Sequence, residues 1–167
     1  MILAVSGWRD WTDATFVHRQ LDLIWGSDLI FGARALPLQV RVGDARGVDA
    51  IVRTFTAGTD GALLTVYAAD WEREGKSAGG HRNRRMLLGD DPFDPSHGRP
   101  ADLLLAFPQP GKVFTGKGSG TWNAVCQAHY RGIEVRIPAY TAAAELRAAD
   151  EPLLLMAGIA QPSDGGR

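Results

Sequence analysis

A chain of 167 residues is the size of one domain and too short for two well-packed ones, so its motifs should converge on one core and one site. With 45% apolar and 22% charged residues it has an ordinary globular composition, which excludes collagen, coiled coil and wholesale disorder. Eighteen basic against nineteen acidic residues leave a formal net charge of −1, without the strong positive field of a dedicated duplex-DNA binder.

Residues 2–6 form a short apolar run ending at Gly7, which reads as a buried strand whose first turn carries Trp8, Arg9, Asp10 and Trp11. The run has no basic leader before it, and no apolar stretch approaches the ~20 residues that span a bilayer, so a cytoplasmic protein is expected. Asp10 or Thr12 is placed to cap a helix over 13–25, in which Val17, Leu21, Ile24 and Trp25 form one stripe and which Gly26 should end. Residues 28–38, broken by Gly32 and Pro37, read as a loop or short strand before a strand at 39–42. That strand runs into Gly43-Asp44-Ala45-Arg46-Gly47, and Val48, Ile51, Val52 and Phe55 then repeat at helical spacing.

A third apolar run, 63–68, is closed by Asp70-Trp71 and by a polar, glycine-rich segment, 72–80, before a basic helix from about His81 to Leu88. Residues 90–100 hold three of the nine prolines and read as an exposed insert; 102–107 make a fourth strand ending at Pro108. Residues 116–121 open a helix whose Trp122, Val125, Cys126 and His129 share one face, with Gly132 at a left-handed stop before a fifth strand, 134–137. The lone Cys126 cannot close an internal disulfide and reads as a buried thiol in a reducing compartment. After Pro138, Thr141 can cap an Ala-rich helix to about Asp150, and 153–159 can pack back before a Pro-Ser-Asp-Gly-Gly tail. The organisation expected is one α/β domain over 1–140, a helical extension over 141–160 and a flexible tail over 161–167. Strands alternating with helices imply three α/β/α layers around a mainly parallel sheet of about five strands, with ligands bound beyond the carboxyl ends of the strands.

Four loops on that rim carry chemistry. The turn from Gly43 to Gly47 lets backbone N–H groups and a helix dipole approach an anion, with Arg46 adding charge, although a structural turn capped by Asp44 explains the same residues. Gly116-Lys117-Gly118-Ser119-Gly120-Thr121 offers N–H and O–H donors to an oxygen-rich ligand, or is simply a flexible loop. Residues 111–117 spell the start of a P-loop, but Gly118 stands where a Ser or Thr should hold Mg²⁺, which argues against an NTPase. The turn after the first strand lacks GxGxxG, so neither NAD nor FAD is expected, and no other cofactor. In the basic helix, Arg82 and Asn83 are the candidates to meet a phosphate; Arg84 and Arg85 read as a solvated face, and Lys76 fits either role. Trp8, Trp11 and Trp71 could stack a base or pack in the core. His18, His81, His97 and His129 have no metal-ligand spacing, and no metal is expected.

The ordered set Ser6-Gly7-Trp8-Arg9-Asp10-Trp11, Gly43-Asp44-Ala45-Arg46-Gly47-Val48-Asp49, Ala69-Asp70-Trp71, Gly75-Lys76-Ser77-Ala78-Gly79, Arg82-Asn83-Arg84-Arg85-Met86 and Leu105-Ala106-Phe107-Pro108 with Gly118-Ser119-Gly120-Thr121 resembles the YspA or cpYpsA-related SLOG proteins, bacterial and phage domains. The resemblance covers roughly residues 1–137 and implies a Rossmann-like fold. The wider superfamily includes the LOG phosphoribohydrolases, the DNA-processing protein DprA and defence-system sensor domains that bind nucleotide-derived signals. In LOG enzymes an Arg on the third helix and a Glu three residues after the Gly-Thr pair cut a nucleotide's N-glycosidic bond. Arg82 matches the first, but the second position is Ala124, which has no carboxylate, so no catalytic residue is assigned. Asp44 or Asp70 could supply a carboxylate from another loop. The loop 109–117 and the insert 91–100 depart from the compact family pattern.

These readings converge on a site made of Ser6, Gly7, Trp8, Arg9, Gly43, Asp44, Ala45, Arg46, Gly47, Asp70, Trp71, Lys76, Arg82, Asn83, Pro108, Gly118, Ser119, Gly120 and Thr121. Its expected partner is a nucleotide or nucleotide-derived phosphate-bearing small molecule, bound or sensed rather than transformed, with N-glycosidic hydrolysis as the alternative and single-strand nucleic-acid binding behind it. No duplex nucleic acid and no membrane partner is expected; a homodimer or higher homo-oligomer is, partly through the apolar 153–159. Arg82→Ala is expected to weaken a phosphate-bearing ligand by about 1–3 kcal/mol and to leave the fold intact.

Overall fold

Strand β1 (Ile2–Gly7) is apolar from Ile2 to Val5 because both of its faces are covered, and the residue before Gly7 is a buried Ser6. In the computed structural model, which describes residues 1–30, 38–112 and 119–140, Ile2 and Ala4 point into one core and Leu3 and Val5 into the other. It pairs in parallel with β2 (Leu38–Gly43) on one side and with β4 (Leu103–Phe107) on the other. Beyond these, β3 (Ala62–Tyr67) joins β2 and β5 (Glu134–Arg136) joins β4, giving a parallel sheet in the order β3-β2-β1-β4-β5. Helices α1 (Ala14–Ile30) and α2 (Val48–Ala57) cover one face through Val17, Leu21, Val48 and Val52. Helices α4 (Ala78–Leu88) and α5 (Gly120–His129) cover the other through Met86, Leu87, Trp122 and Val125. A short α3 (Trp71–Glu74) and a 3₁₀ turn, Gly75–Ser77, precede α4. The expected three-layer, Rossmann-like α/β architecture is therefore the one observed. No helix of the described residues is long and apolar enough to cross a membrane.

Several local expectations are corrected. Helix α1 runs through Gly26 to Ile30, because the packing of Val17, Leu21 and Ile24 outweighs the roughly 1 kcal/mol that an internal glycine costs. Its cap is neither Asp10 nor Thr12 but Asp13, whose Oδ1 accepts from the Phe16 N–H at 2.9 Å. Asp13→Ala should cost about 1 kcal/mol, read as a lower urea midpoint. The polar segment 72–80 is largely helical, and α4 starts at Ala78, three residues before His81. On α5 the covered face is Thr121, Trp122, Ala124, Val125 and Ala128; His129 is exposed and Cys126 only partly covered, burial nonetheless pushing its thiol pKa up. Gly132 does take the left-handed conformation (φ 68°), with Gly132 N–H on the His129 carbonyl and Ile133 N–H on the Ala128 carbonyl, both at 3.0 Å. Residues 31–37, 113–118 and 141–167, and with them the extension, the tail and the apolar 153–159, lie outside the described residues.

The insert 90–100 is largely exposed, as expected, but two of its side chains, Asp94 and Ser96, are buried and anchor it. Gly89 turns the chain at the end of α4 in the left-handed region, and Asp94 and Ser96 return beneath the sheet face covered by α4. There they meet Arg41, the largest fully buried side chain among the described residues, which β2 presents among apolar neighbours. Arg41 Nε lies 2.7 Å from Asp94 Oδ2, and its Nη2 donates to Ser96 Oγ at 2.7 Å and to the Ser96 carbonyl at 3.1 Å. The Tyr67 hydroxyl donates to the same Asp94 oxygen at 2.6 Å. The insert thus lies at the amino-terminal edge of the strands, where Asp102 N–H reaches the Ile2 carbonyl, opposite to the rim where the site forms, and it sets no limit on ligand size.

Candidate ligand-binding site

All five strands end on one rim, and the turns after β1, β2 and β3 meet there with the first turns of α4 and α5. The first two turns are joined by glycines. A side chain on Gly7 would strike Val48, and one on Gly47 would lie 2.5 Å from backbone atoms of Trp8 and Arg9. Val48 N–H, at the start of α2, donates to the Trp8 carbonyl. Gly7 and Gly47 therefore serve the close packing of turns, and Gly47 does not line the cavity.

The cavity encloses about 790 Å³ and lies on the α4–α5 side of the rim. Arg9 enters it from the first turn, Asp44, Ala45 and Arg46 from the second, and Trp71 and Lys76 from the segment before α4. Helix α4 contributes Gly79, Gly80, His81, Arg82 and Arg84 after Ser77, and α5 contributes Gly120, Asn123 and Gln127. Five Lys and Arg side chains thus face one carboxylate, Asp44, and the positive end of the α4 dipole adds to the imbalance. Arg46 is paired with Asp10 at 2.5 Å, but both are exposed and the pair is weak. Arg9, Lys76 and Arg84 have no ion-pair partner among the described residues. Trp71, 56% exposed, brings the Cη2 edge of its indole beside Gly79 and leaves much of the ring exposed at the cavity.

Arg82 sits at the base of the cavity, 12% exposed, with Nη1 3.3 Å from Asp44 Oδ1 and 3.4 Å from Asp49 Oδ2. The guanidinium crosses directly over Gly43, where any Cβ would overlap it. Asp49 is buried and also accepts the Ala45 N–H at 3.2 Å; burial pushes its carboxyl above the ordinary value against the pull of Arg82. Removing Arg82 would leave this buried acid with only the Ala45 N–H and the charge of Arg53 to offset its burial, so Arg82→Ala is expected to cost stability as well as binding.

Of the residues expected at the site, Arg9, Asp44, Ala45, Arg46, Trp71, Lys76, Arg82 and Gly120 line the cavity. Gly43 lies beneath Arg82, and Asn83, 1% exposed, binds α4 to α5 instead of facing a ligand. Asp70 is the cap of α3, accepting the Arg73 N–H, and does not supply a carboxylate to the cavity. Ser6, Thr121 and Pro108 are buried, Ser119 caps α5 through its backbone, and none of the four lines the cavity; Gly118 lies outside the described residues. Trp11 is a core residue packed on Phe16, Phe107 and Tyr140, and Trp8 packs against the same core. Arg84, expected on a solvated face, lines the cavity, while Arg85 donates to the Ala68 carbonyl at 2.7 Å. Ala124 is fully buried, so the α5 position where a carboxylate was sought faces the core. Asn123 and Gln127 take the cavity face; only their i, i+4 spacing hints at it in sequence.

Fold and site together define a class: a Rossmann-like α/β domain with a cation-lined cavity on the carboxyl rim of its sheet. Beyond that class, the chain matches no family model, no curated protein and no solved structure with which it was compared.

Proposed function

We propose that this domain binds or senses a nucleotide or nucleotide-derived, phosphate-bearing small molecule in the rim cavity, in the manner that the SLOG resemblance implies. The observation that carries the reading is the excess of five guanidinium and ammonium groups over one carboxylate around a cavity of about 790 Å³, next to the exposed indole of Trp71. Arg82 and the first turn of α4 suit a phosphoryl group, and Trp71 suits a base. The reading places the protein in the cytoplasm as a homo-oligomer, its stoichiometry readable by light scattering. Titration calorimetry with AMP, GMP, CMP and UMP tests it, with Arg84→Ala and Lys76→Ala as the site variants. Both side chains are exposed and unpaired, so each change should weaken binding roughly five- to tenfold at low salt with an unchanged circular dichroism spectrum. Absence of binding by all four nucleotides would refute the proposal.

N-glycosidic cleavage stays a second reading because Asp44 is a carboxylate on the cavity wall. In that case free base accumulates when the protein is incubated with a bound nucleotide, and Asp44→Asn abolishes its release. An unchanged nucleotide recovered after prolonged incubation leaves binding alone.

A further inference from the structure

Helix α5 turns Asn123 and Gln127 toward the cavity, and a chain of hydrogen bonds starting at Arg82 holds their amides in one orientation. A guanidinium can only donate, so Arg82 Nε, 3.0 Å from Asn83 Oδ1, sets the flip of that buried amide. Asn83 Nδ2 then faces α5 and donates to the Gly120 carbonyl at 2.9 Å and to Asn123 Oδ1 at 3.1 Å. From the other end, the Gly80 carbonyl can only accept, so Gln127 directs Nε2 to it at 2.9 Å. The same nitrogen donates to Asn123 Oδ1 at 2.8 Å. Asn123 Oδ1 is thus used twice. What the two touching amides have left is one donor, Asn123 Nδ2, and one acceptor, Gln127 Oε1, neither with a protein partner among the described residues.

We propose that this fixed pair reads the base of the ligand: Asn123 Nδ2 donates to a ring nitrogen or carbonyl oxygen, and Gln127 Oε1 accepts from the neighbouring amino or imino N–H. An acceptor beside a donor is what the hydrogen-bonding edge of a nucleobase offers. Phosphate alone presents only acceptors, so the phosphate-binding cations do not need this pair. The inference rests on the nucleotide reading above and adds which residues decide base specificity. Because Arg82 orients the relay while bordering the cavity, phosphate capture and base reading share one side chain.

Calorimetric titration of AMP, GMP, CMP, UMP and ribose 5-phosphate into the full-length protein tests this, alongside Asn123→Asp and Gln127→Met. Asn123→Asp keeps the Oδ1 acceptor and abolishes the donor; ribose 5-phosphate reports the effect of its added charge. Wild type should bind at least one nucleotide more tightly than ribose 5-phosphate, and each variant should cut that preference about tenfold, the loss of one well-placed hydrogen bond. A preference that survives both variants overturns the inference, as does ribose 5-phosphate binding as tightly as every nucleotide, and in both cases the phosphate site stands. If none of the five binds, the nucleotide reading itself fails and this inference falls with it. Losses shared equally by nucleotide and ribose 5-phosphate would make Asn123 and Gln127 supports of the helix pair, and also overturn it.

Discussion

Asp94→Ala is expected to remove about 3–5 kcal/mol of stability, enough to unfold many domains of this size, and to lower the urea midpoint accordingly. The reason is not the loss of an attraction but the charge left behind. Arg41 and Asp94 have side chains 1% exposed each, so Arg41 would retain a buried guanidinium with only Ser96 and the Met86 carbonyl for partners. Tyr67 would lose the acceptor of its hydroxyl as well. A double change of Arg41 and Asp94 to Met and Leu should cost much less than the single one, because nothing buried is then left unpaired. Burial by itself would raise the Asp94 carboxyl, but hydrogen bonds from Tyr67 and Ser96 and the Arg41 charge outweigh it and hold the group below its ordinary value. The stabilisation is therefore complete above the ordinary carboxylate range and is lost as pH falls through the native-state value. Urea midpoints followed from about pH 7 to about pH 3 should fall more steeply for wild type than for Asp94→Asn; parallel curves would refute the assignment.

The second large effect is expected at Gly47→Ala, with a loss of about 3 kcal/mol and disruption of the rim. Gly47 sits at φ 70°, ψ −126°, a conformation that L-residues rarely adopt. A Cβ there would stand 2.5 Å from the Trp8 carbonyl oxygen and from backbone C and O of Arg9, which cannot move without shifting the turn after β1. Because that turn carries Arg9 and the next carries Arg46, binding should weaken in whatever fraction remains folded. Gly61→Ala is the control: its φ of 79° is equally left-handed but the space around it is open, so only the backbone strain of about 1 kcal/mol applies. Equal urea midpoints for the two variants would show that the contact between the turns carries no weight.

Both predictions concern features that local pattern conceals. Arg41 lies between Val40 and Val42 in a short strand, and Asp94 lies in a proline-rich stretch with the composition of a surface loop. Nothing within either segment announces the other, because the pair is 53 positions apart and is closed only by the path of the chain around α4. The same holds at the cavity. Arg82 and the loop residues after β2 could be recognised from glycine and arginine chemistry at strand ends, but Arg84 could not be told from a solvated charge. Trp11 and Trp71 both stand near turns, yet one is buried against Phe16 and Tyr140 and the other is exposed at the cavity. Asn123 and Gln127 give no signal in sequence beyond being polar and four apart.

What the amino-acid order decides alone is the succession of apolar runs and helical stripes, hence a parallel sheet covered on both faces and a rim on which its loops must gather. Those follow from periods of two and 3.6, which are properties of neighbouring residues. Which polar groups are buried and paired, which amide points into the cavity, and which tryptophan is open to a ligand were decided by tertiary contact. Burial and hydrogen-bond partnership are set by residues far away in the chain, and a side chain's chemistry takes its meaning from them.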